Sequence, residues 1–212
     1  MKLPLVPLLA VILSCSIGDA TPLVYDTEGH ELMSNSSYYI LPVEEGGTGG
    51  GLKMSYEWKR CNFFVAQARG KAEDGVAVRI TPPGASVYDP IFNPVAVHLS
   101  TDVTITFDVV TVCVESMYWH ISDKSPLSTT SNPRQHVAVG KDEDADMPFP
   151  PSPDMLFSIE RYDGAVKGYK LVSCNSTGPY ENLGLHAFKG KNWLTTSASA
   201  LVVVFKKGHR YA

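Results

Sequence analysis

Charge is scarce in this sequence, and cysteine is scarcer. Only 19% of its 212 residues are charged, with 18 Lys and Arg against 22 Asp and Glu, for a formal net charge of −4. Without a basic excess there is no electrostatic footprint for nucleic acid, and no nucleic-acid partner is expected. The four cysteines form no Cys-x-x-Cys and no Cys/His group, which argues against a zinc site. No apolar run reaches the roughly 20 residues that a membrane-spanning helix needs, so no membrane partner is expected. Sustained helical periodicity is missing, and so are Gly-x-Ser-x-Gly, His-Glu-x-x-His and a Walker loop. The six histidines, at 30, 98, 120, 136, 186 and 209, show no ligand spacing. Nothing in spacing selects Glu160, Asp163 or Glu181 as a carboxylate pair. These absences predict a protein that is not an enzyme and carries neither metal nor cofactor.

Turn chemistry is abundant instead. The 17 Gly and 15 Pro favour many short strands over long helices. Period-2 alternation and β-branched runs place strands near 23–26, 30–33, 38–43, 52–57, 62–68, 76–81, 97–101, 103–109, 112–121, 136–139, 156–162, 167–174, 183–188, 192–196 and 200–207. Val103, Ile105 and Phe107 fall on one face of theirs. Residues 44–51, 81–84, 124–133 and 147–153 read as turns, and the acidic run 141–146 as a solvated loop. A weak internal echo accompanies this pattern. Tyr39-Ile-Leu41, Trp119-His-Ile121 and Tyr169-Lys-Leu171 each precede a loop and another strand, at Leu52, Val137 and Leu185. About a dozen strands in three similar blocks suggest an all-β, pseudo-threefold β-trefoil, although the echo alone allows a sandwich equally.

Residues 1–20 read as a secretory signal peptide. Lys2 precedes the apolar run from Leu5 to Leu13, and the small residues Gly18 and Ala20 precede the cut. A single mature domain over 21–212 is expected. Cys61, Cys113 and Cys174 remain in it, which allows one internal bridge and leaves one thiol. The strand-like runs around Cys61 and Cys113 make those two the expected pair. Closing that loop would stabilise the fold by about 4 kcal/mol in the chain-entropy model. Sequons at Asn35 and Asn175 are the expected glycosylation sites.

Val24-Tyr-Asp-Thr-Glu-Gly-His-Glu-Leu32 resembles the signature that opens the Kunitz soybean-trypsin-inhibitor family. Further landmarks follow in order: Gly50-Gly-Leu52, Cys61, Val78-Arg-Ile-Thr-Pro82, Leu99-Ser-Thr-Asp102, Cys113, Trp119-His-Ile121, Tyr169-Lys-Leu171 and Val202 to Lys207. The nearest subgroup resembled is the cereal bifunctional α-amylase/subtilisin inhibitors. The resemblance implies a β-trefoil plant-defence protein, monomeric, secreted to the apoplast or held in the vacuole, that binds hydrolases without catalysis.

In this family the protease-binding loop follows the strand after the first disulfide cysteine. Here that is Thr81 to Pro90, with Pro82, Pro83, Gly84, Ala85, Ser86 and Val87 at its centre. No Lys or Arg lies between Thr81 and Asn93. A trypsin-type S1 pocket needs a basic residue, so a subtilisin-like serine endopeptidase is the expected partner. For α-amylase, the resemblance points to Ser100, Tyr162 and Lys170. Asn182, Ala187, Ala198 and Ala200 stand where acidic or tyrosine contacts are usual, so weak amylase inhibition is expected. The usual second disulfide partner of Cys174 is missing. The rival class, a carbohydrate-binding trefoil lectin, would repeat Gln-x-Trp, and Gln67 and Gln135 have no Trp two residues on. A storage or defence trefoil without a hydrolase target is the third reading.

Overall fold

Strand alternation decides the architecture, because every second side chain of six strands points into one shared core. The computed structural model describes residues 21–43, 49–56, 62–82, 85, 93–111, 116–123, 134–140, 151–174 and 180–208. Through them run twelve strands: β1 (Ser37–Pro42), β2 (Leu52–Tyr56), β3 (Phe63–Gln67), β4 (Val78–Thr81), β5 (Asp102–Phe107) and β6 (Trp119–Ser122). The second half adds β7 (His136–Val139), β8 (Phe157–Arg161), β9 (Tyr169–Ser173), β10 (Glu181–Phe188), β11 (Lys191–Thr196) and β12 (Val202–Lys207). One 3₁₀ turn, Pro153–Met155, precedes β8.

Strands β12, β1, β4, β5, β8 and β9 pair antiparallel in a ring, and β9 pairs with β12 to close it. Closure leaves no barrel strand with an unpaired edge. Tyr38 and Ile40, Val78 and Ile80, Val103, Ile105 and Phe107, Phe157 and Ile159, Tyr169 and Leu171, and Val203 and Phe205 fill the interior. The hairpins β2–β3, β6–β7 and β10–β11 meet through β3, β7 and β11 to form a triangular cap. Trp119, fully buried, joins cap to barrel by packing on Phe107 at 5.3 Å and Phe157 at 6.3 Å between ring centroids. A second small cluster, Phe64, Ala66, Ala138 and Trp193, fills the cap itself.

This is a β-trefoil. Each of three four-strand units gives its first and last strands to the barrel and its middle pair to the cap. Because β4 and β8 leave the cap, the β4–β5 and β8–β9 links lie at the opposite, open end.

Two expectations need correction. Residues 23–26, 30–33 and 97–101 do not form continuous strands; backbone hydrogen bonds join them, but as isolated bridges, Tyr25 with Glu31, Leu23 with His98 and Met33 with Ala96. Asp26 is the physical reason. Its Oδ1 accepts the backbone N–H groups of Glu28 and His30, both at 2.9 Å, and Gly29 turns the chain at φ +81°. The ladder of the first two arms therefore stops at its tip, and at its other end Val24 N–H and Leu32 O turn to Val97 instead of to each other's strand. The internal echo was also one strand out of phase in its middle block. Trp119-His-Ile121 lies on β6, a cap strand, whereas the counterpart of β1 and β9 is β5. Cap and barrel strands both bury an alternating face, so an aromatic-x-aliphatic triplet fits either.

Candidate functional site

The open end of the barrel carries the β4–β5 link, and its two ends are held differently. On the outgoing side Thr81 ends β4 opposite Thr104 of β5. Just beyond, the Ala85 N–H donates to the Pro82 carbonyl at 3.2 Å, so the chain turns at once.

The returning side, residues 95–99, is laced to the N-terminal arm. Ser34 N–H donates to the Val95 carbonyl at 2.9 Å, and the Val95 N–H donates to Ser34 Oγ at 3.0 Å. Val97 N–H donates to Leu32 O at 2.8 Å, Val24 N–H to Val97 O at 3.0 Å, and Leu99 N–H to Pro22 O at 2.7 Å. The arm is itself tied to the barrel, since Tyr25 N–H donates to the Tyr169 hydroxyl at 3.0 Å and Thr27 N–H to the Phe205 carbonyl at 2.8 Å. Val24, Leu32, Val97 and Leu99 are all buried in the main core. Residues 22–34 thus clamp one foot of the link. Ser34 escaped the sequence reading, because a serine outside any motif gives no sign of its partner 61 residues away. Of the six predicted loop residues, Pro82 and Ala85 lie at the outgoing foot; Pro83, Gly84, Ser86 and Val87 lie outside the described residues.

Ser100, Tyr162 and Lys170 all attach to the neighbouring β8–β9 ladder. Ser100 N–H donates to the Ile159 carbonyl at 2.9 Å with φ +53°, a conformation that L-residues other than Asn and Asp rarely take. Tyr162 N–H donates to Gly168 O at 3.0 Å, and its ring lies so close over Gly164 that a Cβ there would collide. Lys170 faces Glu160 across the ladder, with Nζ 2.8 Å from Oε2. Asn182 pairs with Val172 near the β9–β10 junction, and its carbonyl accepts the Ser197 N–H at 2.8 Å. Ala187 stands apart, five residues further along β10 and so about 16 Å away. Ala198 is exposed and Ala200 half-buried in the β11–β12 link.

Cys174 follows β9 as a free thiol, half-buried. Burial first, then a hydrogen bond to and repulsion from Asp102, push it up to about 12. The expected partners Cys61 and Cys113 lie outside the described residues, as does Asn175. Asn35 sits half-exposed in a turn closed by the Ser36 N–H donating to Met33 O at 3.1 Å.

Comparison with known proteins places this arrangement. A family described as trypsin and protease inhibitors of the legume Kunitz type matches residues 24–207. The α-amylase/subtilisin inhibitor of Oryza sativa subsp. japonica is 38% identical over 98% of this chain and 95% of its own length. The endogenous α-amylase/subtilisin inhibitor of Triticum aestivum is 39% identical over 88% of this chain and 97% of its own. The solved structure of the rice bifunctional inhibitor superposes with a TM-score of 0.67 at 37% identity, covering 89% of this chain and all of that one. Soybean trypsin inhibitor, at 22% identity and TM-score 0.68 over 88% of this chain and 99% of that one, shares the fold. With its signature arm clamping the β4–β5 link of a β-trefoil, the chain belongs to the Kunitz family of trypsin and protease inhibitors.

Proposed function

We propose that this chain is a secreted, monomeric inhibitor of serine endopeptidases, favouring subtilisin-like over trypsin-like enzymes and acting through the β4–β5 link. The observation that carries the preference is the absence of Lys and Arg between Thr81 and Asn93 in a chain of this family. A basic residue is what the buried carboxylate of a trypsin-type pocket requires. A small residue such as Ala85, followed by Ser86, suits a shallow or apolar pocket.

Inhibition needs rigidity more than chemistry. A segment that already has its bound shape loses little entropy on docking. Two feet held by β5 and by the 22–34 arm fix where the segment leaves and rejoins the barrel. They also keep the ends of a cleaved bond together, so that religation competes with release. The chain itself transfers no group and needs no catalytic residue.

A second target, α-amylase, is supported by Ser100, Tyr162 and Lys170, the first of them in strained backbone of the kind that collects at binding sites. The missing anchors at Asn182, Ala187, Ala198 and Ala200 make this the weaker activity. A glycan at Asn35 fits its turn, and export through the 1–20 signal to the apoplast or vacuole fits the family. Progress curves with subtilisin, trypsin and chymotrypsin test the reading. Slow, tight inhibition of subtilisin with little of trypsin is expected; nanomolar inhibition of trypsin alone would overturn it.

A further inference from the structure

At the cap, far from the open end, the β10–β11 hairpin gathers positive charge that no described carboxylate balances. Its tip is Lys189-Gly190, with φ +46° and +72°, the pair of positive values that marks a type I′ turn. Asn-Gly is the favoured sequence there; lysine is a poor choice for left-handed backbone. Strained backbone of this kind is kept where the side chain serves something else.

Lys189 Nζ stands 5.6 Å from the centroid of the Phe188 ring, and Lys191 Nζ 5.1 Å from that of Trp193. Arg69 reaches across from the end of β3 to donate from Nη2 to the Gly190 carbonyl at 3.1 Å. Further along the hairpin His186 stacks on Phe188 and meets Arg134 Nη1 at 2.9 Å. Among the described residues the carboxylate of this strip is Glu73, and it is engaged with Lys53 at 3.2 Å. No described carboxylate pairs with Arg69, Arg134, Lys189 or Lys191. Burial and the nearby Arg69 and Lys53 charges hold the Lys191 ammonium below its usual range, so the cations repel one another.

The strip is narrow, runs along the hairpin with Arg69 and Arg134 beside it, and sets its cations next to the half-buried rings of His186 and Phe188, with Trp193 buried beneath. That pattern matches a linear chain of modest charge density, one carboxylate per sugar, whose apolar sugar faces lie on rings while its carboxylates meet ammonium and guanidinium groups. Duplex nucleic acid, with a charge about every 1.7 Å, wants a broad basic face on a basic protein. This chain is net negative.

We propose that the β10–β11 hairpin binds an acidic polysaccharide, with uronate carboxylates on Arg69, Lys189 and Lys191 and a sugar face on Phe188. This site lies at the end of the trefoil opposite the protease link, so it is independent of the inhibitory reading and both ends can be occupied at once. Polygalacturonate tests it. The mature protein should be retained on a polygalacturonate resin at low salt, be released as salt rises, and ignore the fully methyl-esterified polymer. Lys189→Asn should leave the melting temperature equal or higher while weakening retention severalfold. Arg69→Glu with Lys191→Glu should weaken it at least tenfold, and Phe188→Ala severalfold. No retention at low salt, retention unchanged by Lys189→Asn, equal binding to the esterified polymer, or equal binding to duplex DNA would each overturn the proposal.

Discussion

Lys170 and Glu160 face each other across the β8–β9 ladder, their charged atoms 2.8 Å apart and both side chains partly buried. The pair orders the lysine that the amylase reading relies on, yet it also occupies it. To reach a carboxylate in an amylase cleft, the ammonium must share or leave Glu160.

The first prediction follows from this pair and from its surroundings. Replacing either partner with Met should destabilise the fold by about 1 kcal/mol or less, the usual range for a partly exposed cross-strand pair. Titration against a cereal α-amylase should show only micromolar inhibition. Each central anchor missing at Asn182, Ala198 or Ala200 costs on the order of 2 kcal/mol, about thirtyfold in affinity. Stoichiometric inhibition at nanomolar concentration would refute this.

His136 gives a pH signature. It is 3% exposed in the cap, edge-on to Phe64, with Nδ1 unpartnered among the described residues. Burial first, then the nearby His186, lower it to about 4, while the neighbouring Arg134 backbone works weakly the other way. The folded state keeps this ring neutral down to that pH, whereas the unfolded chain takes up the proton near 6.5. Stability is therefore complete above about pH 6.5 and falls towards pH 4, by about 3 kcal/mol at most from this residue. Denaturant titrations at pH 7 and pH 4.5 should show a smaller loss for His136→Gln than for the wild type. Equal losses would remove His136 from the account.

Cys174 should be inert in the native protein. With its thiol pushed up to about 12 by burial and Asp102, only about one molecule in 10⁴ is thiolate at pH 8. Iodoacetamide should label it only after denaturation. Peptide mapping without reduction should link Cys61 to Cys113, and a link from Cys174 to either would contradict the pairing.

The foot of the β4–β5 link supplies a fourth prediction. Ser34→Ala removes the acceptor of the half-buried Val95 N–H, at a cost of about 1 kcal/mol. Inhibition of the target protease should weaken about tenfold because the returning foot loosens. An unchanged inhibition constant in a folded variant would show that the arm is irrelevant to the link.

How much of this was legible beforehand differs by region. The barrel was readable because Val103, Ile105 and Phe107, or Tyr169 and Leu171, alternate inward over a whole strand. The N-terminal arms break up into single bridges instead of strands, since Asp26 takes the His30 donor and Val97 takes that of Val24, and no periodicity reports either. The family landmarks pointed to the β4–β5 link, but not to what braces it. Ser34 and Val95, or Arg69 and Gly190, meet only through tertiary packing across 61 and 121 residues. Lys189 looks like any surface lysine until its backbone angle and its neighbours are seen together.

The central claim is that the segment between Pro82 and Pro90 enters a subtilisin-like cleft. The most direct measurement is the subtilisin inhibition constant of the mature protein beside that of a variant whose residues 83–87 are replaced by Gly-Ser-Gly-Ser-Gly. The account predicts tight inhibition by the wild type and a loss of a hundredfold or more in the variant, with an unchanged circular-dichroism spectrum. Equal inhibition by the two proteins would contradict it.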